Sequence, residues 1–536
     1  MELTVKMLPG ELWYGPSTKI GQLLPHDEST DFYTDIETGC SCNQDNPFLV
    51  SDMGRYIFAP KGFTLRIKDG TINISSRFGE IFFHEGFANL REAFLDASGR
   101  YFPPNGKIPP EEFFTVPQYN TWIELIYDQN QADVLRYAHG IVDSGMPAGV
   151  LMIDDGWNDY YGSFRFSKEK FPDPAAMCRE LHRLGFKVMM WVCPFVSPDS
   201  TEFRYLRERG MLVRTPKMTG ALSGSGESVS VREWWNGWSA VLDMTNPETE
   251  KWLDEKLRYL MDEYGVDGFK LDAGDAMYYF EDDITYAPVT PAEHSALWCR
   301  FGERFAFNEY RAAFGCVGEP LVMRLHDKSH SWETGVAALI PDTLAQSVMG
   351  YAYTCPDMIG GGSFADFLPG STTFDPELLV RYCQVATLMP MMQFSVAPWR
   401  VLSAEDFETV TKMCRLHEKF APKIIALAKK AAVTGEPVVR SLEYVFPHEG
   451  FGRTTDAFML GDDVLVAPVY KKGERTRTLT LPEGIWSDDC DIVYLGGCEI
   501  TVDAPLDRLP YFTKLPDNKK VMRYLWEHGG KAEIKK

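Results

Sequence analysis

The residues best suited to chemistry are carboxylates that end short apolar runs. Asp154 and Asp155 follow Gly149–Ile153, Asp272 and Asp275 follow Gly268–Leu271, Asp327 follows Leu321–Arg324 through Leu325 and His326, and Asp357 follows Tyr351–Thr354. Cleaving an acetal needs little besides two carboxyl groups. One carboxylate stabilises an oxocarbenium-like cation while an acid protonates the leaving oxygen. No Gly-x-Ser-x-Gly elbow, His-Glu-x-x-His, Gly-x-x-x-x-Gly-Lys-Ser/Thr loop or strand-flanked Gly-x-Gly-x-x-Gly occurs, so serine-hydrolase, zinc-protease and nucleotide-dependent chemistry lack their usual signatures.

Between about residues 113 and 415, short apolar runs alternate with helical stretches, the sequence form of repeated βα units. Eight runs read as strands: Thr121–Leu125, Gly149–Ile153, Lys187–Trp191, Gly268–Leu271, Leu321–Arg324, Ala337–Ile340, Tyr351–Thr354 and Met391–Phe394. Eight is the number that closes a (β/α)8 barrel, whose chemistry lies at the carboxyl ends of its strands. Helices are expected at 132–142, 174–184, 247–264 and 376–386, the last two opening with Asn246 or Asp375 before a proline. Residues 1–112 alternate with turn signals such as Asp69-Gly70 and read as a small N-terminal β module; 113–424 form the barrel, with an insertion at about 198–240; and 425–536 return to alternation as a C-terminal β-sandwich-like module.

The segment Asp267-Gly268-Phe269-Lys270-Leu271-Asp272-Ala273-Gly274-Asp275 closely resembles the nucleophile motif of glycoside hydrolase family 31. The resemblance continues through Leu242–Pro247, Asp357–Gly361, Gly435–Arg440 and Leu465–Pro468. It implies a retaining α-glycosidase in which Asp272 is the nucleophile and Lys270 donates to a sugar hydroxyl. The family's Trp-x-Gly-Asp is replaced by Arg324-Leu325-His326-Asp327. Asp327, five residues before Trp332, is the implied acid/base, with a raised pKa expected beside an ionised nucleophile; His326 and Glu333 are fallbacks. Asp154 and Asp357 correspond to sugar-binding aspartates; Trp191 is expected as a pocket wall, Arg324, on the approach to the acid/base, as a further substrate-binding residue, and Trp235, in the cluster Trp234–Trp238, at the rim. Simpler fates compete: Asp272 paired only with Lys270, Asp327 held by Lys328 or Arg324, Asp154 and Asp357 capping helices, and the tryptophans packing a core.

The His expected after the last strand is absent, with Ser395 in its place, and this departure resembles the branch of α-galactosidases and the myogenesis-regulating glycosidase. Glucose and galactose differ only in the orientation of the C4 hydroxyl. Consecutive Asp154 and Asp155 would supply a repositioned acceptor, so an exo-acting α-galactosidase is expected. α-Glucosidase or α-xylosidase activity is the alternative, and a catalytically silent carbohydrate-binding barrel the second.

A formal net charge of −22 over 536 residues disfavours nucleic acid and anionic membranes, leaving a small neutral carbohydrate as the expected partner and self-association open. The opening residues lack a basic segment followed by an apolar one, and no long apolar stretch occurs, so a cytoplasmic protein is expected. Eleven scattered cysteines read as reduced thiols; Cys40 and Cys42 alone are weak evidence for a metal, and no cofactor is expected.

Overall fold

The computed structural model describes residues 1–38, 43–216, 227–527 and 529–533; Cys40 and Cys42 lie outside them. At its centre eight parallel strands form a nearly closed barrel. They are β1 (Gln118–Asn120), β2 (Val150–Ile153), β3 (Lys187–Val192), β4 (Gly268–Leu271), β5 (Phe307–Tyr310), β6 (Val322–Arg324), β7 (Thr354–Cys355) and β8 (Gln393–Phe394), hydrogen-bonded in that order, with β8 returning to β1. The last seam, between β7 and β8, is held by a Met358–Gln393 bridge and a 2.7 Å bond from Ile359 N to Gln393 O. β2 and β4 are buried at every residue because helices cover one face and barrel side chains the other, which is why their sequences read as unbroken apolar runs.

Six of the eight expected strands fall where the apolar runs placed them; two do not. The first strand lies earlier, at Gln118–Asn120, because the Asn120 side chain accepts from Trp122 N at 2.8 Å and turns Trp122–Leu125 into a short helix. Ala337–Ile340 begins a helix that runs to Val348 and is buried from Ala338 onward. Its opening run Ala337–Ile340 is wholly apolar and too short to carry a periodicity that separates it from a buried strand. The strand that replaces it in the count is β5, Phe307-Asn308-Glu309-Tyr310, whose polar residues are paired inside the barrel: Glu309 accepts from Gln393 Nε2 at 2.6 Å. Arg324 therefore ends the sixth strand rather than the fifth.

The expected helices form at α1 (Gln131–Asp143), α2 (Pro174–Arg183), α3 (Pro247–Tyr264) and α4 (Pro376–Thr387). Asn246 and Asp375 cap α3 and α4 as their positions before proline suggest, the first accepting from Glu248 N and the second from Glu377 N and Leu378 N. The insertion contributes a helix, Thr201–Glu208, and a hairpin, Val231–Trp234 with Gly237–Val241.

Two four-stranded antiparallel sheets precede the barrel; in one, Thr64–Lys68 and Thr71–Ser75 turn through Asp69 and Gly70, both at positive φ. A helix at Leu90–Tyr101, not anticipated from the β-type pattern, follows them. On the other side a helix runs from Ala404 to Thr434, through the expected module boundary near residue 425, so the seven-stranded C-terminal sheet begins only at Val439. Among the described residues no helix is long and apolar enough to cross a membrane, and nine cysteines are free thiols.

Candidate active site

The strand ends open into a cavity of about 460 Å³, within the range that holds a small ligand. Asp154, Asp155, Trp191, Trp235, Lys270, Asp272, Arg324 and Asp327 all line it.

Asp272 is aimed into the cavity by an abrupt turn. Ala273 takes a φ of 55°, costly for a residue with a Cβ, and Gly274 follows at 72° with so little room that a Cβ there would lie 2.2 Å from Trp298. Three hydrogen-bond donors then fix the carboxylate, Trp191 Nε1 at 2.8 Å, Arg311 Nε at 2.9 Å and its neighbour Ala273 N at 2.8 Å, and the Lys270 ammonium adds an ion pair at 3.6 Å. Burial alone would raise its pKa, but Lys270, Arg311 and Arg324 outweigh burial and hold the carboxyl far below the usual range, so Asp272 is ionised at any ordinary pH.

Lys270 shares a strand face with Asp272, two residues away. Its buried ammonium lies 2.9 Å from Asp154 Oδ2, which also accepts from Asn120 Nδ2 at 2.7 Å. Asp155 turns the other way. Its Oδ2 accepts from Asn236 Nδ2 at 2.6 Å and Tyr161 OH at 3.2 Å, while its buried Oδ1 has no partner among the described residues. Burial and the adjacent Asp154 charge push the Asp155 pKa up to about 7. Asn236 sits in the turn of the insertion hairpin and also accepts from Tyr127 OH at 2.8 Å. The hairpin is thus latched across the loops after β1 and β2. Beside it, the Trp235 ring lies over the Arg311 guanidinium at 5.2 Å.

Asp327 faces the cavity with 55% of its side chain exposed. Arg324 Nη1 donates to its Oδ1 at 2.7 Å, to Asp357 Oδ1 at 2.5 Å and to Leu325 O at 3.1 Å. The raised pKa expected for Asp327 is not found: burial works in that direction, but Arg324, Lys270 and Arg311 outweigh it and the pKa is lowered. Asp357 is fully buried behind Arg324, accepts from Lys328 N at 2.7 Å, and is pushed up to about 6 by burial, with the Asp327 charge adding to the rise. Its φ of 78° points the side chain behind the wall rather than into the cavity, so it braces the site instead of lining it.

The substitutes fare less well. His326 lines the cavity, but burial and the nearby Lys328 push its pKa down to about 3 and leave it neutral. Glu333 is exposed outside the cavity lining. Ser395 is buried outside it, its hydroxyl accepting from Ile123 N at 2.7 Å, so it does not take the place expected of a sugar-binding histidine.

Several site residues carry no local sequence signal. Arg311, at the end of the overlooked β5, bridges Asp272 and Asp275, the latter at 2.6 Å. Lys19, in the short 3-10 helix Thr18–Leu23, and Asn43, just before Gln44–Asp45, reach the cavity from the N-terminal part of the chain. Their neighbour Gln44 donates from Nε2 to the carbonyls of Arg311 and Arg324, and Gln44–Asp45 pairs with Ala313–Phe314, tying that segment to both arginines.

A parallel barrel with paired carboxylates at its strand ends is the architecture of a glycoside-hydrolase-type protein. Residues 108–424 match the glycosyl hydrolases family 31 TIM-barrel domain and residues 435–515 the family 31 C-terminal domain, and the chain belongs to that family. It is 35% identical over 425 residues to the myogenesis-regulating glycosidase of Mus musculus, an alignment covering 77% of this chain and 58% of the relative. It is 26% identical to a 1,3-alpha-isomaltosidase of Kribbella flavida, covering 64% and 50%. The chain thus spans about half the length of these curated relatives. A Flavobacterium johnsoniae family 31 dextranase solved with glucose superposes with a TM-score of 0.80 at 20% identity, over 96% of this chain and 66% of the other, a likeness of fold.

Proposed function

We propose that the protein is a retaining, exo-acting α-galactosidase. Asp272 attacks the anomeric carbon while protonated Asp327 gives its proton to the leaving oxygen; Asp327 then removes a proton from the water that releases the sugar. The observation that carries this reading is the asymmetry of the two carboxyl groups. Asp272 is held ionised by three hydrogen-bond donors and the Lys270 ammonium, as a nucleophile must be, whereas Asp327 is open to the cavity and hydrogen-bonded by Arg324, as suits a group that must meet the leaving oxygen and water.

Lys270 and Asp154 form a buried pair at the cavity wall that offers a donor and an acceptor to adjacent sugar hydroxyls. The galactose assignment rests on Asp155, which lines the cavity beside Asp154 and would supply the repositioned acceptor for the C4 hydroxyl. Similarity to the myogenesis-regulating glycosidase agrees with the branch. Relatives named alpha-glucosidase 2 and alpha-xylosidase XylQ, each 25% identical, support the alternative sugars. Lys19 and Asn43 are assigned to the leaving-group side, where polar ends suit a second sugar better than an apolar aglycone.

Incubation with an activated 2-deoxy-2-fluoro-α-galactoside followed by peptide mass spectrometry tests the mechanism. A fluorogalactosyl adduct on the peptide containing Asp272 is expected, and proton NMR of an ordinary turnover should show the α-anomer released first. An initial β-anomer, or label on another carboxylate, overturns the assignment.

A further inference from the structure

Arg324 stands where other family 31 sequences carry the tryptophan of Trp-x-Gly-Asp, and it is the element of the site that the functional reading leaves unexplained. Its side chain is only 1% exposed, so it has little surface to offer a sugar. One nitrogen, Nη1, serves Asp327 at 2.7 Å, Asp357 at 2.5 Å and Leu325 O at 3.1 Å, while Nε lies 3.5 Å from Glu309 Oε1, too long for a good hydrogen bond, and both of those atoms lack partners. The guanidinium is therefore clamped between one carboxylate inside the wall and one on the cavity surface.

We propose that Arg324 is a positioning residue, anchored by Asp357, that keeps Asp327 ionised in the resting protein and so confines acid-assisted cleavage to low pH. The proposal rests on Asp327 being the acid/base. The charged groups around Asp327 are Arg324 with His326 and Lys328 from the β6 end, Lys270 from β4, Arg311 after β5 and Asp357 after β7, while Lys19 from the helix Thr18–Leu23 and the Asp154, Asp155 and Asp272 carboxylates line the same cavity. Lys270 and Arg311 are already committed to the Asp154, Asp272 and Asp275 carboxylates, His326 is neutral, and Asp357 is itself bonded to Arg324. Among the described residues, only Arg324 hydrogen-bonds an Asp327 oxygen. An opposite charge at this range lowers a carboxyl pKa by about 1–3 units, and each pH unit above that pKa leaves about tenfold less protonated acid.

The test compares pH profiles of kcat/KM on a disaccharide with a poor leaving group and on a p-nitrophenyl glycoside of the same sugar. In the wild type the disaccharide profile should fall about tenfold per pH unit from below about pH 5, while the nitrophenyl profile, which needs little acid help, stays flat into neutrality. Arg324→Met should move the disaccharide limb upward by about 1–3 pH units and leave the nitrophenyl profile's shape unchanged; Arg324→Lys, which keeps the charge, should move it less. A wild-type disaccharide limb above about pH 6, or the same limb in wild type and Arg324→Met, overturns the proposal. Because Arg324→Met strips a buried cation from Asp357, the carbon-13 resonance of the Asp327 carboxyl in wild type, assigned by its loss in Asp327→Asn, gives a second reading that needs neither that variant nor a substrate. Titration below the normal aspartate range supports the proposal, and titration at or above it refutes it. If no α-glycoside is hydrolysed, the functional reading fails while this titration still decides the role of Arg324.

Discussion

Replacing Arg311 with methionine removes the one cation that joins Asp272 to Asp275. The guanidinium lies 2.9 Å from the first and 2.6 Å from the second, with only 13% of its side chain exposed, so its loss strands two buried carboxylates. Breaking a buried pair by deleting one partner costs about 3–5 kcal/mol. Most of that should fall on Asp275, which is 1% exposed and whose pKa burial already raises against the pull of Arg311. Without the arginine that pKa climbs further, and a carboxyl whose folded pKa exceeds its unfolded value loses stability as pH rises between the two. The gap between wild type and Arg311→Met should therefore widen from pH 5 to pH 7.5. Asp272 keeps Trp191, Ala273 and Lys270, so most of its charge survives and the loss of activity should reflect displacement, aided by Trp235 losing the cation beneath its ring. Urea unfolding at the two pH values measures this directly. A gap that is the same at both, or under about 1 kcal/mol, would refute the reasoning.

Other outcomes follow from the same geometry. Asp272→Ala should abolish turnover, whereas Asp327→Ala should lose far more activity on disaccharides than on nitrophenyl glycosides, because acid help matters least with a good leaving group; equal loss on both would remove Asp327 from the acid role. Asp154→Ala leaves Lys270 buried beside a single, more distant carboxylate and should destabilise the protein by about 3–5 kcal/mol, measured by urea unfolding; a change under about 1 kcal/mol would mean the pair is not buried as described. Asp155, with its pKa near 7, should make the wild type progressively less stable than Asp155→Asn as pH rises from 5 to 8, since the folded state holds a proton that the unfolded state has lost; parallel stability curves would contradict that pKa.

The sequence disclosed the site where function and strand grammar coincide. Asp154, Asp155, Lys270 and Asp272 lie at the ends of unbroken apolar runs, and those runs are strands because both their faces are covered. Arg311 stayed hidden because β5 carries Asn308 and Glu309, polar residues that pair inside the barrel, Asn308 with Phe305 O and Val322 N and Glu309 with Gln393 far along the chain. Lys19 and Asn43 could not be read at all, since only the pairing of Gln44–Asp45 with Ala313–Phe314 and the packing of the helix Thr18–Leu23 against Ala337–Val348 bring them to the cavity. For Asp327, position was legible and charge was not: the pKa depends on Arg324 serving Asp327 and Asp357 together, and on Asp357 being turned behind the wall by a backbone conformation that nothing in its neighbours announces.

The most direct test of the central claim is hydrolysis of p-nitrophenyl α-galactoside beside the α-glucoside, at pH 4 to 7, by wild type and Asp272→Ala. Cleavage of the galactoside in preference to the glucoside, lost in the variant, is the predicted result. Preference for the glucoside would overturn the sugar assignment, and turnover that survives in Asp272→Ala would contradict the mechanism itself.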